Sequence, residues 1–441
     1  VEGITEVFDA GLLADPRDPV ERARSLAAHW RVMIPALGGL IVGPMVYFLV
    51  REAKGPGIPE VMEAVALRGG VIRRRVIGLK TLASAITIGS GGSVGREGPI
   101  VQIGSAVASW FGQLLKLPPR QLRTMVGCGS AAGIAATFNA PIAGALFAVE
   151  IVIGDFAVAQ FSPIVISSVV ATVVSRLFLG NQPAFEVPAY DLVSPLELIA
   201  YAGVGIAAGL VALAFIRAVA VAEDLFDAIP IPDYLKAGLG GLCVGMIGIL
   251  LPQVFGVGYE TIDEALTGHL PMVALGMLLV AKLAATSITI GSGGSGGIFA
   301  PSLFLGATMG GLLGGLVHQV VPEATGTSGA YALVAMGALV AASTHAPITA
   351  IIMIFEMTQT IEIIPPLMTA CVISTLVTSY FARDSIYTQK LRRRGVDLAK
   401  DEDPNVLRSL FVRDIVDRDP EVIPASASFS KVMELIVDSS H

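Results

Sequence analysis

Apolar stretches of near-spanning length recur along the chain, at Val32 to Val50, Leu196 to Phe215, Tyr234 to Leu251, Met272 to Ile290 and Ile363 to Phe381. A helix needs about 20 residues to cross a hydrocarbon core, where every backbone polar group must find its partner inside the protein. Only 15% of the 441 residues are charged and 54% are hydrophobic, against roughly 25% charged in a soluble domain. These patterns exclude most soluble folds and predict an all-α polytopic membrane protein. Two other segments, Ile100 to Leu115 and Leu303 to Val317, look too short or too broken by Gly and Pro to span alone. They are expected to form tilted or discontinuous helices, which transporters use to line sites.

An internal duplication is written into the same stretches. Leu37-Gly-Gly-Leu-Ile-Val-Gly43 matches Leu239-Gly-Gly-Leu-Cys-Val-Gly245, and Ile86 to Ser93 recurs as Ile288 to Ser295, both at a shift of 202. Gly55-Pro-Gly57 with Glu63-Ala64 answers to Gly256-Val-Gly258 with Glu264-Ala265, at a shift of 201. Ala140-Pro141-Ile142 with Glu150 answers to Ala346-Pro347-Ile348 with Glu356, at a shift of 206. Four anchors in the same order imply a tandem duplication, with repeat one over about 32–180 and repeat two over about 196–382. Inverted halves sharing a site at their interface are a common transporter plan, and inversion is the arrangement expected here.

The flanking segments differ in character. Residues 1–31 carry a partial amphipathic stripe (Leu12, Leu13, Val20, Ala23, Leu26, Ala27) and are expected to form a cytoplasmic surface helix, with no basic start and apolar run to mark a cleaved signal. Residues 32–394 form the membrane domain, and 395–441 turn polar and acidic before Val412 to Val416, Val422-Ile-Pro424 and Phe429 to Val437. That last stretch resembles the beginning of a CBS domain behind a linker. Such modules resemble adenine-nucleotide binders that work as pairs, so a nucleotide is expected only with a complete pair; no other cofactor is expected. A nucleotide sensor with a membrane anchor is the competing reading of the whole chain.

Basic residues cluster at Arg68, Arg73, Arg74, Arg75 and Lys80, at Lys116, Arg120 and Arg123, and at Lys390, Arg392, Arg393 and Arg394. The positive-inside rule assigns these loops, and both termini, to the cytoplasmic side of a cell membrane. The net charge of -7 sits largely in the two ends and does not suggest nucleic-acid binding. Cys128, Cys243 and Cys371 have neither metal nor redox spacing and read as packing residues. The five histidines are widely spaced and no paired His/Asp motif stands in a membrane segment, so neither a metal nor an enzyme is expected.

The chemistry concentrates in Gly89-Ser-Gly-Gly-Ser-Val-Gly-Arg-Glu-Gly-Pro99 and its second copy, Gly291-Ser-Gly-Gly-Ser-Gly-Gly-Ile-Phe-Ala-Pro301. Proline marks a helix start, glycine lets backbone approach a ligand, and unpaired amides at a helix start attract anions. The Gly-Lys-Ser/Thr ending of a phosphate loop is absent. Two such starts can converge on one buried point. Glu97 stands in the first of them as a carboxylate at membrane depth, costly unless paired, and amides built for an anion also accept a carboxylate. Protonation would discharge it and free the site. In the second copy Phe299 takes its place.

With Gly55-Pro-Gly-Ile-Pro59 upstream and Ser385-Ile-Tyr387 downstream, these segments resemble the CLC family of chloride channels and proton/chloride exchangers over roughly residues 31–394. The resemblance implies a homodimer with one pore per subunit, two inverted repeats, and chloride as the bound ion. It implies anion contacts from Gly55, Pro56, Gly57, Arg96, Glu97, Gly98, Ile298, Phe299 and Tyr387, with Glu97 as the protonatable gate. The competing readings are an ion pair with Arg96 for Glu97 and an interfacial anchor for Tyr387. Two positions depart from the family. Many members carry Ser where Pro56 stands, and nitrate-preferring plant members carry Pro, so nitrate joins chloride as a candidate. Exchangers carry an inner proton-relaying glutamate directly after the position of Glu150, where this chain has Ile151, which leaves channel and exchanger modes both open. Glu150, Glu356 and His345 read as structural, at helix ends or between helices.

Overall fold

The computed structural model describes residues 19–156, 158–180, 194–195, 197–322 and 325–396, with isolated positions at 185, 426–430 and 433. The chain divides into a unit of residues 1–396 and a second of 397–441, and the CBS-like reading falls almost wholly outside the described residues. All regular structure among the described residues is helical, apart from two isolated bridges.

In chain order the first half comprises α1 (Pro19–Ser25), α2 (Ala28–Pro44), α3 (Ile58–Leu67), α4 (Arg75–Gly89), α5 (Glu97–Leu114), α6 (Pro119–Phe138), α7 (Pro141–Phe147) and α8 (Val158–Leu179). The second comprises α9 (Glu197–Ala228), α10 (Asp233–Leu250), α11 (Tyr259–Leu266), α12 (Met272–Gly291), α13 (Phe299–Val320), α14 (Ser328–Thr344), α15 (Pro347–Thr358), α16 (Ile364–Phe381) and α17 (Thr388–Arg393). Helices α2 to α8 pair one by one with α10 to α16, while α9, 32 residues long, has no counterpart among the described residues. Among the described residues seven segments are long and apolar enough to cross a membrane, which makes this a multi-pass membrane protein.

Contacts between the halves are reciprocal. The N–H of Ser93 donates to Thr289 Oγ1, and the N–H of Ser295 donates to Thr87 Oγ1. Gly95 and Gly297, which exchange places under the shift of 202, bond each other at 2.7 and 2.6 Å. Residue i meeting j while j meets i is the signature of a two-fold relation, here within one chain. Helices α2 and α10 pack antiparallel: Gly39 faces Ala237 and Gly43 faces Tyr234, while Gly241 faces Pro35 and Gly245 faces Val32.

The Ala-Pro-Ile anchors are helix junctions. Asn139 and His345 end α6 and α14 with positive φ of 56° and 58°, and proline then opens α7 and α15. The orphan N–H groups at those openings are capped across the halves. Glu150, in the π-helical Ala148–Ile153 that continues α7, accepts from Ile348 N (3.2 Å) and Thr349 N (2.7 Å). Glu356 returns the contact to Ile142 N (3.0 Å) and Ala143 N (2.7 Å). Charge-assisted bonds to a helix start are among the stronger ones a carboxylate makes, and they give both acids a structural role.

Two sequence-based expectations are corrected. Leu303 to Val317 is not too short to span: it lies within the 22-residue α13, whose Gly, Thr and His positions dilute its hydropathy because 72% of its apolar window is buried. Lys80 does not belong to an exposed basic loop; it is fully buried inside α4. Of residues 1–31, those described form α1 and, from Ala28, the start of α2; the rest of the expected surface helix lies outside the described residues.

Candidate functional site

Glu97 is the first residue of α5 and is fully buried. Both prolines expected at helix starts, Pro99 and Pro301, stand third in their helices, where a missing N–H is still tolerated because the first turn has no intrahelical acceptor. The acid therefore belongs to the helix start itself. Its Oε2 accepts from Ala300 N at 3.3 Å, the second residue of α13, and its Oε1 accepts from the Tyr259 hydroxyl at 2.5 Å. A carboxylate from the first half thus occupies the amide cradle of the second.

The cradle is built by close backbone approach. A Cβ on Gly98 would lie 2.2 Å from the Pro56 carbonyl oxygen and 3.1 Å from Gly297 Cα, and one on Gly57 would lie 3.1 Å from the Gly98 carbonyl oxygen. The turn Gly55-Pro56-Gly57 is pinned from two sides. Gly55 N donates to Gly294 O at 3.0 Å, and Lys80 Nζ donates to Ala53 O (3.1 Å) and Gly55 O (2.7 Å). With Gly55 committed and proline lacking an N–H, Gly57 is the turn's remaining backbone donor. In α13, Ala300 serves Glu97 and Pro301 has no N–H, which leaves Ile298 and Phe299 to offer amides.

Tyr387 is fully buried and its hydroxyl has no hydrogen-bond partner. A small cavity of about 10 Å³ gathers Pro56, Ile298, Ile386 and Lys390, which brings the first turn, the second helix start and the segment of Tyr387 to one place. Arg96 stacks on the Tyr259 ring, 5.2 Å from its centroid. Ile151 is buried beside Glu150 and carries no titratable group.

Sequence reasoning missed two features. Lys282 repeats the role of Lys80, donating to Val254 O (3.1 Å) and Gly256 O (2.9 Å), and the shift of 202 relates the two lysines. Tyr259 was also unforeseen; its only signal was its place directly after Gly256-Val-Gly258, the copy of Gly55-Pro56-Gly57.

The side chain of Glu97 folds back over Gly95, where a Cβ would lie 2.2 Å from Oε2. Gly95→Ala is expected to push the carboxylate off Ala300 and, with its methyl 3.2 Å from Ala300 N, to keep a free anion off that amide as well, lowering anion flux at neutral pH, read as chloride efflux from vesicles. Unchanged efflux would show that this resting place does not limit passage.

The sequence profile described as voltage gated chloride channel matches residues 38–379. A chloride channel protein described as ClcB-like, from Ralstonia nicotianae, is 37% identical over 384 residues, covering 86% of this chain and 89% of the relative. A voltage-gated ClC-type chloride channel, ClcB of Escherichia coli O9:H4, is 33% identical over 376 residues, 84% of this chain and 89% of the relative. In fold the chain is similar to a slow cyanobacterial Cl-/H+ antiporter, with a TM-score of 0.80 and 24% identity over 88% of this chain and 93% of that one. With a profile spanning most of the chain and relatives above 30% identity along most of their length, this chain belongs to the voltage gated chloride channel family.

Proposed function

We propose that the chain carries chloride, and nitrate, across a membrane through a pathway that Glu97 closes when ionised and opens when protonated. One observation carries this reading: the Glu97 carboxylate sits on the Ala300 N–H at the start of α13, where a free anion of the same charge would bind. Gly57, Gly98, Ile298, Phe299 and the unpartnered Tyr387 hydroxyl extend that cradle into a path. The two-fold contacts and the antiparallel α2 and α10 support inverted repeats, since equivalent spanning helices then cross in opposite directions. The basic residues of the loops support cytoplasmic termini in a cell membrane. Exposed apolar residues at helical spacing on α8 (Ile166, Val169, Val170, Val173) and on its counterpart α16 (Met368, Val372, Leu376) support a homodimer with one pore per subunit.

Uncoupled conduction and exchange for protons share this apparatus. Ile151, at the inner relay position, favours conduction. The comparisons favour transport over the nucleotide-sensing alternative.

Purified protein in liposomes is expected to release chloride and nitrate at comparable rates, because Pro56 offers no hydroxyl to favour chloride. Absence of efflux above that of empty liposomes would remove the reading. The reversal potential under opposed chloride and pH gradients separates the modes: a value unmoved by pH means conduction, and a shifted one means exchange.

A further inference from the structure

Tyr259 opens α11 directly after Gly258, whose φ of +87° sets the direction of the new helix. Its ring is fixed on two sides, by the Arg96 guanidinium at 5.2 Å and by Phe185 edge-on at 5.3 Å. Its hydroxyl donates a short bond to Glu97 Oε1 and also accepts from the Arg96 side chain. In the first half the same position is Ile58, so the hydroxyl exists only in the copy that faces the acid. Tyr259 also lines a cavity of about 280 Å³ with Trp30, Arg31, Phe255 and Glu260. That cavity shares no lining residue with the one beside Pro56 and Lys390. Tyr259 therefore joins Glu97 to the wall of this larger cavity.

We propose that Tyr259 is a positioning residue of the gate: its hydroxyl latches the ionised Glu97 carboxylate in the closed position and, when the carboxylate leaves, donates to the anion that replaces it. The proposal rests on the reading of Glu97 as a gate. The groups facing Glu97 are Tyr259 from α11, Arg96 from the residue before α5, Lys282 from α12 within electrostatic reach, and Tyr387 from the residue before α17. Helix α13 adds the Ala300 amide. Of these, Tyr259 and Ala300 bond the carboxylate, and Tyr259 does so with a side chain that mutation can remove cleanly. A donated bond stabilises the ionised form over the protonated one. Losing it makes protonation easier, so the gate should open at higher pH.

The test is chloride efflux from liposomes against pH for the wild type, Tyr259→Phe, Glu97→Gln and the double variant. Phenylalanine keeps the ring packing on Arg96 and Phe185. The half-activation point of Tyr259→Phe is expected to rise by about one pH unit, a tenfold change in proton concentration. In the Glu97→Gln background, where no carboxylate is left to latch, Tyr259→Phe should leave the pH profile flat and weaken apparent chloride affinity severalfold. A Tyr259→Phe profile superimposable on the wild type overturns the proposal. So does a shift seen with Tyr259→Leu and not with Tyr259→Phe, which assigns the effect to ring packing. Retained pH dependence in Glu97→Gln instead overturns the gate reading itself, so the two failures are distinguishable.

Discussion

Glu97→Gln is expected to abolish the pH dependence of chloride flux while leaving the protein folded. Glutamine keeps the shape of the side chain, stays neutral at every pH, and mimics the protonated acid. In the proposed gate the wild-type carboxylate, bonded to the Ala300 amide, competes with chloride for it, and because it is tethered it does so at a high effective concentration. Each pH unit above the opening point should lower wild-type flux by up to about tenfold, as a single proton leaves the gate. The glutamine variant should instead hold the open rate across the range, and should saturate at chloride concentrations roughly tenfold lower. Efflux measured from about pH 4.5 to 7.5 checks both, and a parallel fall of wild type and variant would place the titrating group elsewhere.

Lys80→Met should have the second-largest effect, on stability and on flux together. The fully buried Lys80 Nζ donates to two carbonyl oxygens, of Ala53 and Gly55, and so fixes the turn that carries Pro56 and Gly57. Methionine fills the volume without a donor, and leaves the Ala53 carbonyl to Ser295 Oγ (2.8 Å) and the Gly55 carbonyl to Gly296 N (3.3 Å). Losing one hydrogen bond at each of two carbonyls that keep another donor costs about 0.5–1.5 kcal/mol apiece, which together point to about 1–3 kcal/mol. Thermal unfolding in detergent should register the loss, and chloride efflux should fall as the turn loosens. Lys282→Met removes the bonds to the carbonyls of Val254 and Gly256 and should also lower the melting point, a control for the pairing of the two lysines. Lysines that serve only to neutralise nearby acids would leave the melting point unchanged on replacement.

Much of this architecture was legible as repetition. The collinear anchors located both glycine-rich helix starts, and the paired acids Glu150 and Glu356 proved to cap each other's halves as their matched positions suggested. Lys80 escaped because its charge sits five residues beyond Arg75 and reads as one more basic loop residue. Its shift of 202 to Lys282 was the overlooked signal, since two lysines are spaced alike in two apolar helices only if each has a partner there. Tyr259 was harder to foresee. It meets Glu97 across 162 residues, and its repeat counterpart is an isoleucine, so neither local spacing nor symmetry marks it. Helix α13 was underestimated for a physical reason: a helix buried in protein does not need the uniform hydropathy of a lipid-facing span.

The claim at the centre of this account is that the Glu97 carboxylate rests where a transported anion binds. Anomalous diffraction from bromide-soaked crystals of the wild type and of Glu97→Gln tests it most directly. The account predicts a bromide near the Tyr387 hydroxyl in both proteins, and a further bromide on the Ala300 and Gly98 amides in Glu97→Gln alone. The same bromide sites in both proteins, with none on the Ala300 amide, would contradict it.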